Sequence, residues 1–113
     1  MDYFPLFLKL QQQPCLVIGA GTIAARKIEL LSRAGAVITV IANTISPAVM
    51  DMQESHQLLI KQKAFEEKDA AGFRLIVSAT DNSITNQLVA DTANKLNIPV
   101  NVVDNPALCS FIF

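Results

Sequence analysis

Two stretches carry residues whose types and spacing can do chemistry. The first is Gly19-Ala-Gly-Thr-Ile-Ala24, directly after the apolar run Cys15-Leu-Val-Ile18. It fits G-x-G-x-x-G/A with alanine in the last slot. Between a strand and a helix, this spacing binds the pyrophosphate of a dinucleotide. Gly19 lets the chain turn tightly, and Gly21 has no Cβ to obstruct the phosphates. Ala24 is small enough for the helix to pack close on the strand. The amides and dipole of the helix start favour negative charge. An ordinary tight turn uses the same small residues, so the context carries the reading. The second stretch ends in Asp104, after Val100-Asn-Val-Val103. A carboxylate there can act as general base where water is excluded. Asp104-Asn-Pro106 is also good turn chemistry, and the pattern alone leaves both roles open.

These residues need elements to hold them. Pro14 marks a break, and Cys15 to Gly19 reads as a strand buried on both faces. A helix is expected from about Thr22 to Ala34, with Ala24, Ile28 and Leu31 on one face and Gly35 just past its end. Ala36 to Ala42 is rich in β-branched residues and reads as the second strand. Strand, helix and strand in about thirty residues make a right-handed βαβ unit. Ser46 and Pro47 open a short helix reaching Glu54. Gln57 to Lys61 is a third strand, and Glu66 to Asp69 a solvated helical turn. Phe73 to Ala79 is a fourth strand. Asp81 or Asn82 caps a longer helix with Ile84, Leu88 and Leu96 on one face, ended by Pro99. Val100 to Val103 is the fifth strand, and Ser110 to Phe113 reads as the start of a sixth. Met1 to Gln13 is expected to be extended and to cover a sheet edge. This alternation gives an α/β, Rossmann-like, doubly wound fold with a largely parallel sheet, a single domain over residues 1–113.

In such a sheet the ligand lies at the carboxyl ends of the strands. That rule gathers Thr22 and Ile23, Asn43 and Thr44, Ser78 to Asp81, and Asp104 with Asn105. Gly19, Gly21, Thr22, Ile23, Asn43, Thr44 and Thr80 are the expected cofactor contacts. No acid follows the second strand, but Asn43 can still hydrogen-bond a ribose hydroxyl. No arginine stands there for a 2′-phosphate, which favours NAD over NADP. Asp81 is read as a helix cap. His56 is given no function. Cys109, a lone thiol, is a poor metal ligand, and no metal site is expected. Arg26 and Lys27 are either solvated or placed to meet an anionic substrate.

The bulk properties narrow the partners. Of 113 residues, 51% are hydrophobic and 17% charged, enough to bury a core, and the net charge is -1. No basic block argues for nucleic acid. The longest uncharged run, Ala34 to Met50, is too short and polar for a membrane span. No basic region precedes an apolar stretch as in a signal peptide. Cys15 and Cys109 are expected to be free thiols, and the compartment the cytoplasm.

Three stretches together resemble a known family: Gly19-Ala-Gly-Thr-Ile-Ala-Ala-Arg-Lys27, Ser78-Ala-Thr-Asp81 and Asn101-Val-Val-Asp-Asn-Pro106. The chain looks like the N-terminal domain of siroheme synthase, the precorrin-2 dehydrogenase and sirohydrochlorin ferrochelatase. The resemblance runs from Met1-Asp2-Tyr3 to Phe111. It implies oxidation of precorrin-2 to sirohydrochlorin with hydride passed to NAD. Ferrous iron, a substrate, is then inserted to give sirohaem. It places NAD contacts on Thr22, Ile23, Asn43 and Thr44, and matches Asp104 to an aspartate needed for both reactions. It also implies a tetrapyrrole substrate, and a homodimer built by sequence beyond this stretch. The chain is accordingly expected to be part of a longer protein and poorly active alone. The competing reading is a non-catalytic, nucleotide-sensing Rossmann module. Such modules usually keep an acid after the second strand and need no base after the fifth. Asn43 and Asp104 both favour the enzyme.

Overall fold

The structure is a computed structural model and describes residues 2–113. Five strands form one sheet: β1 (Pro14–Ile18), β2 (Val37–Ala42), β3 (Leu59–Gln62), β4 (Leu75–Ser78) and β5 (Val100–Val102). Their order is β3-β2-β1-β4-β5, and every pairing is parallel. Three helices complete the α/β fold: α1 (Thr22–Arg33), α2 (Pro47–Ser55) and α3 (Ser83–Lys95). The chain winds outward from β1 to β3, then returns to the other side of β1 to form β4. The topological switch point therefore lies between β1 and β4, where open α/β sheets bind ligands.

The inner strands β1, β2 and β4 are largely apolar and buried because both faces are covered, whereas the edge strand β3 is mostly exposed. Cys15, Val17, Ile38, Val40, Leu75 and Val77 face α1 and α2, packing on Ala24, Ile28, Leu31 and Val49. Leu16, Ile18, Ile41, Ile76, Val100 and Val102 form the opposite layer with Val89, Ala90 and Ala93 of α3. Ser46 caps α2 as expected, its hydroxyl accepting from the Val49 amide at 3.3 Å, and the helix runs one residue past Glu54. Gly35 takes φ +82° after α1, the left-handed stop its position predicts.

Several sequence expectations are corrected. The buried face of α3 is Val89, Ala90, Thr92 and Ala93, while Ile84 and Leu96 are exposed. Small residues let this helix lie close to the sheet, and the Thr92 hydroxyl is satisfied by donating to Leu88 O at 2.7 Å. The cap of α3 is Asn82, which accepts from the Thr85 amide at 3.0 Å, and not Asp81. Strand β3 begins two residues later than expected and ends one later, with Gln57 in a left-handed turn at φ +54° and Leu58 buried ahead of it. Strand β1 begins at Pro14 and stops before Gly19, and β4 is limited to Leu75–Ser78.

No sixth strand forms at Ser110 to Phe113 among the described residues. A single-turn 3-10 helix at Pro106–Leu108 turns the chain back along β5. There the Ser110 side-chain hydroxyl accepts the Val100 amide at 2.8 Å, replacing a ladder carbonyl. Asn101 Nδ2 donates to Phe111 O at 3.1 Å and the Ser110 amide to Val100 O at 2.8 Å, so side-chain bonds and one backbone bond occupy the edge. Among the described residues the N-terminal segment covers no sheet edge either. Phe4, Leu6 and Phe7 are exposed, and β3 and β5 hold the edges. Only Leu10 packs on the core, and the Gln12 amide ties the segment to Gly35 O at 2.8 Å. Met1, where that expected segment begins, lies outside the described residues.

Candidate functional site

The loops at the carboxyl ends of the strands surround one cleft of about 800 Å³. Gly19, Gly21, Thr22 and Ile23 form its wall after β1, Asn43 and Thr44 after β2, and Ala79, Thr80 and Asp81 after β4. Asp104 closes the wall after β5. All the expected cofactor contacts and the expected base thus line a single space. Ser78 and Asn105, which the strand-end rule also gathers, are outside the wall.

The two glycines act differently. Gly19 has φ +110°, and a Cβ there would stand 2.4 Å from the carbonyl oxygen of Ala79. The loops after β1 and β4 therefore approach so closely that only glycine fits. Backbone bonds hold this crossing: the Gly19 amide donates to Ile41 O at 2.9 Å, and Ala79 donates to Ile18 O at 2.8 Å. A Cβ on Gly21 would meet nothing within 4 Å. Its missing side chain leaves space on the cleft side.

Gly21 is also the N-cap of α1 and supplies no side-chain bond to the helix amides. The first intrahelical bond in this turn runs from the Ala25 amide to Gly21 O, at 3.0 Å. The Thr22, Ile23 and Ala24 amides precede it, and such opening amides have no partner within a helix. No acidic residue competes in the first turn. Open space beside unpaired amides at the positive end of a helix fits a pyrophosphate.

A polar network shapes the wall after β4. Asn86 Oδ1 on α3 accepts from the Ser78 and Thr80 hydroxyls, each at 2.7 Å, while its Nδ2 donates to Thr80 O at 3.1 Å. Ser78 is fully buried, so its hydroxyl needs this acceptor. The network fixes Thr80 against the cleft.

Asp104 is exposed and takes φ +59°. Aspartate is among the few side chains that tolerate this region. The Asn105 amide closes the turn on Val102 O at 3.1 Å. Cys109 braces it: its Sγ accepts the Val102 amide at 3.2 Å and lies 3.4 Å from Asn105 O. The water exclusion that would favour a base is not supplied by the described residues, since Asp104 stands open to solvent. Cys15 and Cys109 are both free thiols. Burial pushes the Cys15 thiol up to about 11, against a smaller opposing effect of Arg74.

Sequence reasoning missed Lys63, Ala64 and Phe65, which line the cleft after β3. The strand-end rule would have found them had it been applied to the third strand. His56 is structural: its Nε2 lies 2.6 Å from Glu29 Oε2 and ties α2 to α1. This bond, helped by Arg33, holds the Glu29 carboxyl below its usual range. Arg26 and Lys27 do not line the cleft. Arg26 flanks an open groove beside Glu29, Leu30 and Met52, and Lys27 Nζ sits 4.0 Å from the Phe113 ring centroid. No cluster of three metal-ligating side chains occurs among the described residues. Nor is any helix among them long and apolar enough to cross a membrane.

Residues 6–113 match a family model described as "Putative NAD(P)-binding". The chain belongs to this NAD(P)-binding family. Its curated relatives bear out the resemblance read from the motifs. It is 48% identical to the siroheme synthase of Methylococcus capsulatus over 113 residues, covering 100% of this chain and 24% of that protein. It is 46% identical to siroheme synthase 1 of Klebsiella pneumoniae, again over 100% of this chain and 24% of the relative. The chain thus spans about a quarter of these relatives' length. Among solved structures, SirC, a precorrin-2 dehydrogenase, superposes with a TM-score of 0.81 at 33% identity, covering 91% of this chain and 50% of that one. The D-lactate dehydrogenase of Escherichia coli superposes at 0.65 with 12% identity, over 91% of this chain and 32% of that one, which shows the shared fold alone.

Proposed function

We propose that this chain is the NAD-binding domain of an enzyme that oxidises precorrin-2 to sirohydrochlorin, with ferrous iron then inserted to give sirohaem. One observation carries the reading: the glycine turn, the Asn43-Thr44 corner and Asp104 line a single cleft at the switch point. The names of the relatives, siroheme synthase and precorrin-2 dehydrogenase, supply the substrate. The exposed Asn43 and the acid-free second strand end also match this reading better than a nucleotide sensor.

In this account Gly19 makes the tight turn, Gly21 gives the dinucleotide its approach, and the Thr22 and Ile23 amides receive the pyrophosphate. Asn43 and Thr44 hold the ribose, and Thr80, fixed by Asn86, borders the middle of the cofactor. Bound NAD supplies a hydride acceptor. Asp104, across the cleft, takes a proton from the tetrapyrrole as general base. The same carboxylate assists loss of pyrrole protons when iron, a substrate, enters. The tetrapyrrole and the remainder of a homodimeric, cytoplasmic protein would supply the cover that Asp104 lacks in this domain.

The test is anaerobic incubation of the complete protein with precorrin-2 and NAD, followed by absorbance spectra. Sirohydrochlorin should appear together with stoichiometric NADH. NAD binding without any oxidation would refute the enzyme and leave the sensing module.

A further inference from the structure

Lys63 is the one cation lining the cleft among the described residues. It lies immediately beyond the last paired residues of β2 and β3, Ala42 and Gln62, and its amide donates to Ala42 O at 3.0 Å. Gln62 Nε2 reaches over to Asn43 O at 3.0 Å. Lys63 therefore stands beside the corner where the ribose that distinguishes NADP from NAD would sit. A free ammonium at such a corner would attract a 2′-phosphate.

This ammonium is not free. Lys63 Nζ lies 2.8 Å from Asp69 Oδ2 and 2.9 Å from Asp69 Oδ1. Glu66 Oε1 is 3.2 Å away. The Asp69 side chain is only 9% exposed. The same carboxylate accepts the Glu66 amide at 2.8 Å, in a reciprocal cap of the 3-10 turn Glu67–Asp69. The turn is thus built to hold two carboxylates on one lysine. The trio has a net charge of one negative unit, opposite to what a phosphate needs.

We propose that Glu66 and Asp69 set the cofactor preference, by neutralising Lys63 at the ribose corner and leaving a net negative charge against a 2′-phosphate. The inference rests on the dinucleotide site proposed above and adds its specificity device. It extends the reading that NADP is disfavoured for want of an arginine: a cation is present but is occupied. The Asp69 contact holds the Lys63 ammonium above its ordinary range, so the lysine stays charged and bound to its partners.

The test compares affinities for NAD and NADP by calorimetry on the complete protein and on Glu66→Gln, Asp69→Asn, the double variant and Lys63→Met. Both amide substitutions keep an oxygen that can accept the capping amides. Each removed negative charge should tighten NADP roughly tenfold relative to NAD at low salt, and less at high salt. Lys63→Met should weaken NADP further. Glu66, more exposed than Asp69, serves as the variant that keeps the fold if Asp69→Asn unfolds. An unchanged NADP-to-NAD ratio in a variant that still binds NAD overturns the inference and leaves the cofactor site intact. A native protein that binds neither dinucleotide overturns the site itself, and this inference with it.

Discussion

The two glycines of the turn should fail in opposite ways when substituted. At Gly19, alanine must adopt φ +110°, and its Cβ would start 2.4 Å from Ala79 O. The strained backbone costs on the order of 1–3 kcal/mol. Pushing two hydrogen-bonded loops apart adds roughly 1–3 kcal/mol, as overpacking does in cores. The sum, about 2–6 kcal/mol, is a large share of the roughly 5–15 kcal/mol that holds a domain folded. The melting temperature of Gly19→Ala should therefore fall by about 10 °C or more. At Gly21 the backbone is φ -92°, ψ -162°, open to any residue, and a Cβ meets nothing. Gly21→Val should cost less than about 1 kcal/mol in stability, the scale of an N-cap change.

Binding reverses the order. Valine at position 21 fills the space beside the opening amides of α1. A hydrogen bond to a charged group contributes about 1.5–3 kcal/mol, so losing two weakens NAD by about 100-fold or more. Thermal unfolding and calorimetry on both variants measure the contrast. A Gly19→Ala protein as stable as the native one would refute the close approach of the two loops. Native NAD affinity in a folded Gly21→Val protein would remove the pyrophosphate from this turn.

Three other outcomes are expected. In the complete protein, Asp104→Asn should lower dehydrogenase rate by about 100- to 10,000-fold with NAD binding nearly unchanged; a normal rate would leave Asp104 a turn residue only. Val89→Ala should destabilise by about 1.5–3 kcal/mol in urea unfolding while Ile84→Ala stays within about 0.5 kcal/mol, and equal losses would contradict the buried face of α3. Burial raises the Asp69 carboxyl, but its bonds from Lys63 and the Glu66 amide outweigh this and hold it below its ordinary value. Its stabilisation is therefore present above that ordinary value and lost as pH falls through the lower folded one, so Asp69→Asn should flatten the acid limb of the urea midpoint plotted against pH.

The topology was legible because strand residues covered on both faces leave continuous apolar runs. Leu16 to Ile18 is such a run, Val37 to Ala42 is one broken only by the β-branched Thr39, and the glycine turn fixes where the first ends. The packed face of α3 was not legible. Periodicity weights large apolar side chains, and Ile84, Leu88 and Leu96 outweigh Ala90 and Ala93 on any such scale. Proximity to the sheet reverses that weighting, since Ala90 and Ala93 leave room that Ile84 would not. The end of the chain misled for a related reason. Ser110 to Phe113 has strand composition, but composition does not reveal that the Ser110 hydroxyl would take the Val100 amide.

The wall of the cleft was legible at the strand ends, the third included, but the ion pairs that occupy Lys63 were not. Glu66 to Asp69 looks like a solvated turn because its charges crowd together without helical spacing. The pair that matters, Lys63 with Asp69, spans six residues. Only the 3-10 turn folds that distance into a contact, and a scan for i,i+4 pairs passes over it. At Asp104 the difficulty was of another kind. Sequence offered a turn or a base as alternatives, yet the geometry makes them compatible. The left-handed turn at φ +59° is what sets the carboxylate at the cleft, past the end of β5. Asparagine tolerates the same backbone region and keeps the same shape. Asp104→Asn therefore separates the two roles, because the turn survives the substitution and only the proton acceptor is removed.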